Sequence, residues 1–350
     1  MKIYNLLLLT SLLLIMGSCG DSTKNADELF SVEIKDAKNA YKETDVLQVS
    51  VKNKKNKTLD KVSWSLDSDA ITEASGNSTS ISLNNKKLGT KTVTATITVD
   101  DQTYDVSTQV ILLSSIKPKL YTYKIVESYP HDIKAYTQGL EFENDTLYES
   151  TGQKKESTLR KTNYTTGEVY KSVPLADQYF GEGITILNNK IYQLTWQSKT
   201  GFIYNLNTME KKGSFVYGKS NEGWGLCNDG NTIFKSDGTE KIWTLNAETL
   251  AEESHIEIYT NTSRIKSVNE LEWVDGKIYA NIYQKDAIAI VNPENGAVEG
   301  VINLSGLKDK VTQHDKLDVL NGIAFKGEEN ILYVTGKNWD KLFKIEIIGN

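Results

Sequence analysis

Five segments of this 350-residue chain carry one short pattern: a turn, an apolar pair, then an Ile/Leu-Tyr-like strand. They are Gln138-Gly139-Leu140…Leu147-Tyr148, Glu182-Gly183-Ile184…Ile191-Tyr192, Trp224-Gly225-Leu226…Ile233-Phe234, Asn269-Glu270-Leu271…Ile278-Tyr279 and Asn321-Gly322-Ile323…Leu332-Tyr333. Leu140, Ile184, Leu226, Leu271 and Ile323 stand 44, 42, 45 and 52 residues apart. A strand-built period in the forties marks a propeller blade, a unit that buries its apolar face only by stacking on its neighbours. Each repeat continues with a second strand pair split by a turn, as in Phe202-Ile203-Tyr204-Asn205 before Asn207-Thr208-Met209-Glu210. The last repeat ends at Ile347 with no fourth strand. Tyr121-Thr122-Tyr123-Lys124-Ile125-Val126, ahead of the first repeat, can supply it and remove an open edge. The expected fold is all-β, with a five-bladed β-propeller over 119–350.

Ahead of the repeats, residues 29–113 read as a small immunoglobulin-like β-sandwich. Val46–Val51 and Thr92–Val99 alternate at period two, Trp64 suits a sandwich core, and no cysteine pair is present. The segment around Pro118 is the expected junction. At the amino terminus, Lys2 precedes the apolar run Leu6–Ile15, the shape of a secretory leader over residues 1–18. Met16-Gly17-Ser18-Cys19 looks like a bacterial lipobox, so Cys19 is the expected lipidation site, followed by a flexible tether over 19–28. The expectation is an exported bacterial lipoprotein, membrane-anchored in the periplasm or at the cell surface. Cys227 is then alone, without a disulfide partner, and reads as a small buried hydrophobe.

Asp plus Glu number 46 against 40 Lys plus Arg, a formal charge of −6 with no basic block. Nucleic acid is therefore not an expected partner. The three histidines, His131, His255 and His314, lack ligand spacing and read as isolated surface or packing residues, so neither a metal nor a cofactor is expected.

Phe180-Gly181-Glu182-Gly183 is the most suggestive stretch for chemistry: a carboxylate between two glycines, behind an aromatic residue and ahead of an apolar strand. The glycines are expected to let the backbone approach a ligand, with Glu182 open at the mouth of the strand. The repeats place Gln138, Trp224 and Asn269 at or beside the equivalent turn. Tyr136, Phe180, Trp196, Tyr283, Lys337 and Trp339 lie nearby in sequence. An apolar pocket with a few convergent polar groups is the usual form of a small-molecule site.

The chain resembles the glutamine cyclotransferases of plant and bacterial type over Tyr121 to Ile347. The motifs are Tyr136-Thr137-Gln138-Gly139-Leu140, Phe180-Gly181-Glu182-Gly183, Leu194-Thr195-Trp196, Glu222-Gly223-Trp224-Gly225-Leu226, Asn269-Glu270-Leu271-Glu272 and Gly336-Lys337-Asn338-Trp339. The resemblance implies a five-bladed propeller that converts the N-terminal glutamine of peptides or proteins to pyroglutamate, releasing ammonia without a metal. Glu182 matches the family's catalytic Glu, a proton shuttle. Phe180, Trp196 and Trp224 would cage the substrate's aliphatic stem, with Tyr136 and Tyr283 beside them. Lys337, Gln138 or Asn269 would steady the oxyanion. Tyr283 stands where the family usually shows Trp, and Asp340 where it commonly has Pro. Two other readings remain open at this point. One is a non-catalytic propeller lipoprotein that binds a peptide or sugar. The other is a lactonase-type hydrolase using Asn269 and Asn321 around a divalent cation.

Overall fold

The computed structural model describes residues 22–71 and 76–349; the leader and Cys19 lie outside the described residues. Residues expected to complete a flexible tether instead form the helix Ser22–Leu29, which buries Ala26 and runs directly into the strand Phe30–Ile34. The chain divides into two compact units. One comprises 22–37, 46–81 and 91–110; the other comprises 38–45, 82–90 and the chain from Ile111 onward.

The first unit is built from two sheets. Phe30–Ile34 pairs antiparallel with Val46–Asn53, and Ser78–Ser82 lies at its other edge. In the second sheet Gly89–Val99 lies between Gln102–Leu113 and Lys61–Leu66. Gly89–Val99 alternates strictly between buried and half-buried positions, so Val93, Ala95 and Ile97 enter the core while the threonines face outward. Trp64 is buried opposite Ala95, with its indole N–H donating to the Gly76 carbonyl at 3.1 Å.

The second unit carries the repeats. Thr137–Glu143, Gly181–Leu187, Leu226–Asn228 and Val268–Val274 each lead a four-stranded antiparallel meander. Leu320–Ala324 leads a group of three, completed by Lys119–Pro130, which pairs antiparallel with Lys341–Gly349. The leading strands touch in cyclic order, the fifth returning to the first. Five apolar clusters occupy the five successive sheet interfaces. Leu140, Leu147, Tyr333 and Leu342, for example, join the fifth group to the first. Lys119–Pro130 also pairs in parallel, over three residues, with the outer strand of the fourth group, so the fourth and fifth groups share an eight-stranded sheet. At twelve residues this strand is long enough to serve both neighbours.

Local chemistry sets the turns. Asn188-Asn189 and Asp275-Gly276 have positive φ at both residues, as the tight hairpins between first and second strands require. Between third and fourth strands, the carboxamide oxygens of Asn163, Asn205, Asn246 and Asn292 accept backbone N–H groups two or three residues on.

Candidate active site

Four of the five leading strands are bulged at the same phase of the repeat. Register shifts fall between Thr137 and Gly139, Gly181 and Ile184, Val268 and Leu271, and Leu320 and Ile323. A bulge adds a residue to one strand and re-aims its side chain. Here the bulges contain Gln138, Glu182, Asn269 and Asn321, which is why four polar residues from four strands converge. Gly183 and Gly225 serve this convergence rather than ligand approach, which corrects the expectation for the Gly-Glu-Gly stretch. A Cβ on Gly183 would lie 2.6 Å from Gly225 Cα, and one on Gly225 would lie 2.3 Å from the Asn269 carbonyl. With no Cβ in the way, the Gly183 N–H donates to the Trp224 carbonyl at 2.7 Å. Glu182 is accordingly not open at a strand mouth but buried, at 4 % exposure.

Nine of the expected residues line one cavity of about 230 Å³: Tyr136, Gln138, Phe180, Glu182, Trp196, Trp224, Asn269, Tyr283 and Lys337. The wall is an aromatic circuit. Tyr136 meets Phe180 edge-on at 6.1 Å, Phe180 leans on Trp196 at 5.6 Å, and Trp224 meets Tyr283 edge-on at 5.7 Å. Two charged groups close the gaps. The Lys337 ammonium lies 4.8 Å from the Tyr136 ring centre and 5.2 Å from that of Tyr283. Across the cavity, one oxygen of Glu222 accepts both indole N–H groups, from Trp196 and Trp224, each at 2.8 Å. Trp339 is not part of the wall: it is fully buried, packs on Phe343 and donates to the Asp318 carbonyl.

The polar groups are ordered by a chain of hydrogen bonds. Asn321 donates to the Thr137 carbonyl and to Gln138 Oε1, which turns the Gln138 amide so that its Nε2 donates to Glu182 Oε1 at 2.9 Å. Glu182 Oε2 and Asn269 Oδ1 are buried with no hydrogen-bond partner among the described residues. Burial raises the Glu182 carboxyl well above the usual carboxylate range; Lys337 and the Gln138 amide oppose the rise, and Glu222 adds to it. Burial also lowers the Lys337 ammonium, against the pull of Glu182 and Asp318. The site therefore holds a carboxyl and an amine whose affinities for a proton are drawn toward each other.

Sequence reasoning missed the residues that hold this wall. Glu222 stood in a quoted motif, two positions before Trp224, but its acceptance of two indoles from different loops has no sequence signal. Asp318 accepts the Tyr136 hydroxyl at 2.7 Å. Lys235, fully buried, donates to Ser220 Oγ, the Glu222 carbonyl and Glu252, pinning the loop that carries Glu222. His131 is not an isolated histidine. Its Nδ1 lies 2.8 Å from the Trp339 carbonyl and its Nε2 3.1 Å from Glu149. His255 packs on Trp243, and His314 bonds the Asn338 carbonyl. Cys227 is buried, which pushes its thiol well up. Asp340, at the departure from the family's proline, accepts from the Thr312 N–H and hydroxyl.

The family model described as glutamine cyclotransferase matches residues 92–347, starting ahead of the Tyr121 at which the motifs begin. The chain belongs to the glutamine cyclotransferase family. It is 39 % identical over 228 residues to the glutaminyl-peptide cyclotransferase of Arabidopsis thaliana, covering 64 % of this chain and 71 % of that protein. The crystal structure of Myxococcus xanthus glutaminyl cyclase superposes with a TM-score of 0.62 at 30 % identity. That match covers 67 % of this chain and all of the other.

Proposed function

We propose that this chain is a glutaminyl-peptide cyclotransferase acting on peptides or proteins with N-terminal glutamine, with Glu182 as its proton shuttle. The observation that carries the reading is Glu182 itself: a buried carboxyl with one oxygen oriented by Gln138 and the other unpartnered, facing a cavity enclosed by aromatic rings. Family membership supports the same activity.

An N-terminal glutamine brings donors to the two unpartnered acceptors, Glu182 Oε2 and Asn269 Oδ1. The aromatic wall fits its aliphatic stem and excludes water. Confinement of a flexible side chain in a cyclisation-ready conformer lowers the barrier by several kcal/mol. The α-amine nitrogen attacks the side-chain amide carbon, forming the lactam C–N bond. Glu182 takes the proton that the amine gives up and returns one to the departing nitrogen. The original C–N bond then breaks and ammonia leaves. Raising the Glu182 carboxyl narrows the gap to the α-amine and so lowers the cost of exchanging a proton between them. Lys337 is the group suited to the oxyanion, since among the described residues no carboxylate bonds its ammonium; Gln138 is committed to Glu182.

The reading extends to the architecture. Five groups with leading strands in cyclic contact support a five-bladed β-propeller over 119–350, and two sheets around a buried Trp64 support an immunoglobulin-like sandwich over 29–113. The leader over 1–18 and the Met16-Gly17-Ser18-Cys19 stretch support an exported, lipid-anchored protein at a membrane surface.

The test is ammonia release from a short peptide beginning with glutamine, with the product weighed by mass spectrometry. Release of ammonia with loss of one ammonia mass is expected. Tight binding of the intact peptide without any mass loss would favour a non-catalytic binding protein instead.

A further inference from the structure

The cavity of about 230 Å³ is smaller than the roughly 300–1,000 Å³ of a site that encloses a drug-sized ligand, so it holds one residue-sized end of a peptide. The remainder of the substrate must leave across the wall. Beside the cavity lies a cleft of about 910 Å³ that shares Tyr136 with it. Lys134, Lys154 and Lys316 project from three separate loops into this cleft, against a single lining carboxylate, Glu156. The nearby Asp318 is engaged by the Tyr136 hydroxyl and the Val319 N–H. Among the described residues, none of the three ammonium groups has a carboxylate within ion-pairing distance. The sign is opposite to that of the whole chain, whose formal charge is −6.

A second cleft, of about 740 Å³, shares Trp224 with the site, and there Glu222, Asp237 and Glu240 outnumber Lys219 and Lys241. A third shares Tyr283, and its Lys266 and Lys285, beside an Arg264 already paired with Glu240, make it the competing exit. It is smaller, about 490 Å³, and much of its lining is apolar, Ile265, Ile282 and Val298 among it.

We propose that the residues following the N-terminal glutamine lie in the Tyr136 cleft, and that the preferred substrates carry Asp or Glu there. The proposal rests on the cyclotransferase reading and names its substrate class. Exposed charges at the rim of a site act mainly on encounter and on salt dependence. The preference therefore belongs in kcat/KM and fades as salt shortens the Debye length from about 10 Å to about 3 Å.

The experiment compares kcat/KM at low and high salt for peptides that differ only in the two residues after glutamine: Glu-Glu, Ser-Ser or Lys-Lys. The expected order is acidic, neutral, basic, spread over roughly tenfold at low salt and compressed at about 1 M. In a variant carrying Lys134→Ser, Lys154→Ser and Lys316→Ser, the acidic peptide should fall to the neutral one. The neutral peptide should stay within about twofold of its wild-type value, which also shows that the variant folds. Equal rates for the three peptides in the wild type would overturn the proposal. So would a preference that survives in the triple variant, or one lost instead in Lys266→Ser/Lys285→Ser. Cyclisation of none of the peptides would overturn the reading beneath it and the proposal with it.

Discussion

Glu222 shows how one side chain fixes a binding wall and tunes the acid across it. Its carboxylate holds Trp196 and Trp224 through one oxygen, and its charge raises the Glu182 carboxyl. The two effects separate by substitution. Glu222→Gln keeps an oxygen to accept the indoles but removes the charge, so the Glu182 pKa falls. If Glu182 must be ionised to take a proton, the acid limb of kcat/KM moves to lower pH with KM little changed. Glu222→Ala frees both indoles, and a rise in KM with a red shift of the tryptophan emission is expected. An acid limb unmoved in Glu222→Gln would show that this charge does not reach the shuttle. None of this was readable from the sequence. The nine lining residues were, because each is an aromatic or polar side chain that either opens a repeat or directly follows its second strand, positions that antiparallel pairing brings to the same end of every strand group.

At the scale of elements, the connection from Lys119–Pro130 into the first leading strand is latched to the last repeat. His131 N–H donates to the Asp340 carbonyl, Asn338 N–H to the Ala135 carbonyl, and the His131 ring spans Trp339 and Glu149. Both ring nitrogens face acceptors, so the ring is held as the imidazolium. Burial works against that charge, but Glu149 and the Trp339 carbonyl outweigh it and raise the His131 pKa. Burial likewise opposes the Glu149 carboxylate, yet His131, Arg160 and the Thr137 hydroxyl leave its pKa lowered. A raised histidine contributes stability that is full below about 6.5 and is lost as pH rises through its folded value. A lowered glutamate contributes above about 4.3 and is lost as pH falls through its folded value. The pair therefore supports the fold most strongly between those limits. Their side chains are only 5 % and 3 % exposed, so Glu149→Gln leaves a buried charge unpaired, a loss of about 3–5 kcal/mol. Thermal unfolding across pH checks this: the gap between wild type and variant should be widest near pH 5.5 and should narrow toward both extremes. The same pattern of legibility holds here. Turn residues and strand alternation were visible as composition and period, whereas His131, read as an isolated surface or packing residue, has its partner eighteen residues away on the strand Thr146–Thr151. The glycines of the Gly-Glu-Gly stretch were visible but assigned to the ligand, since a single chain does not show that a neighbouring strand needs the space.

For the molecule as a whole, the repeat period told of strand groups stacked around an axis, and the missing fourth strand told where closure had to come from. What the period could not show was the bulge common to four leading strands, which needs the register of two paired strands to be seen. Those bulges bring Gln138, Glu182, Asn269 and Asn321 together, and aromatic rings from the loops and strand ends above close over them. In the proposed mechanism Glu182 is the group that moves the proton. The measurement to make is turnover of a glutamine-leading peptide by Glu182→Gln, alongside the dissociation constant of the same peptide. The amide keeps the size of the side chain but cannot accept and return a proton. Turnover is expected to fall by roughly 10²–10⁴-fold with the dissociation constant within a few-fold of wild type. Turnover close to that of the wild type would contradict the assignment and place the shuttle elsewhere in the site.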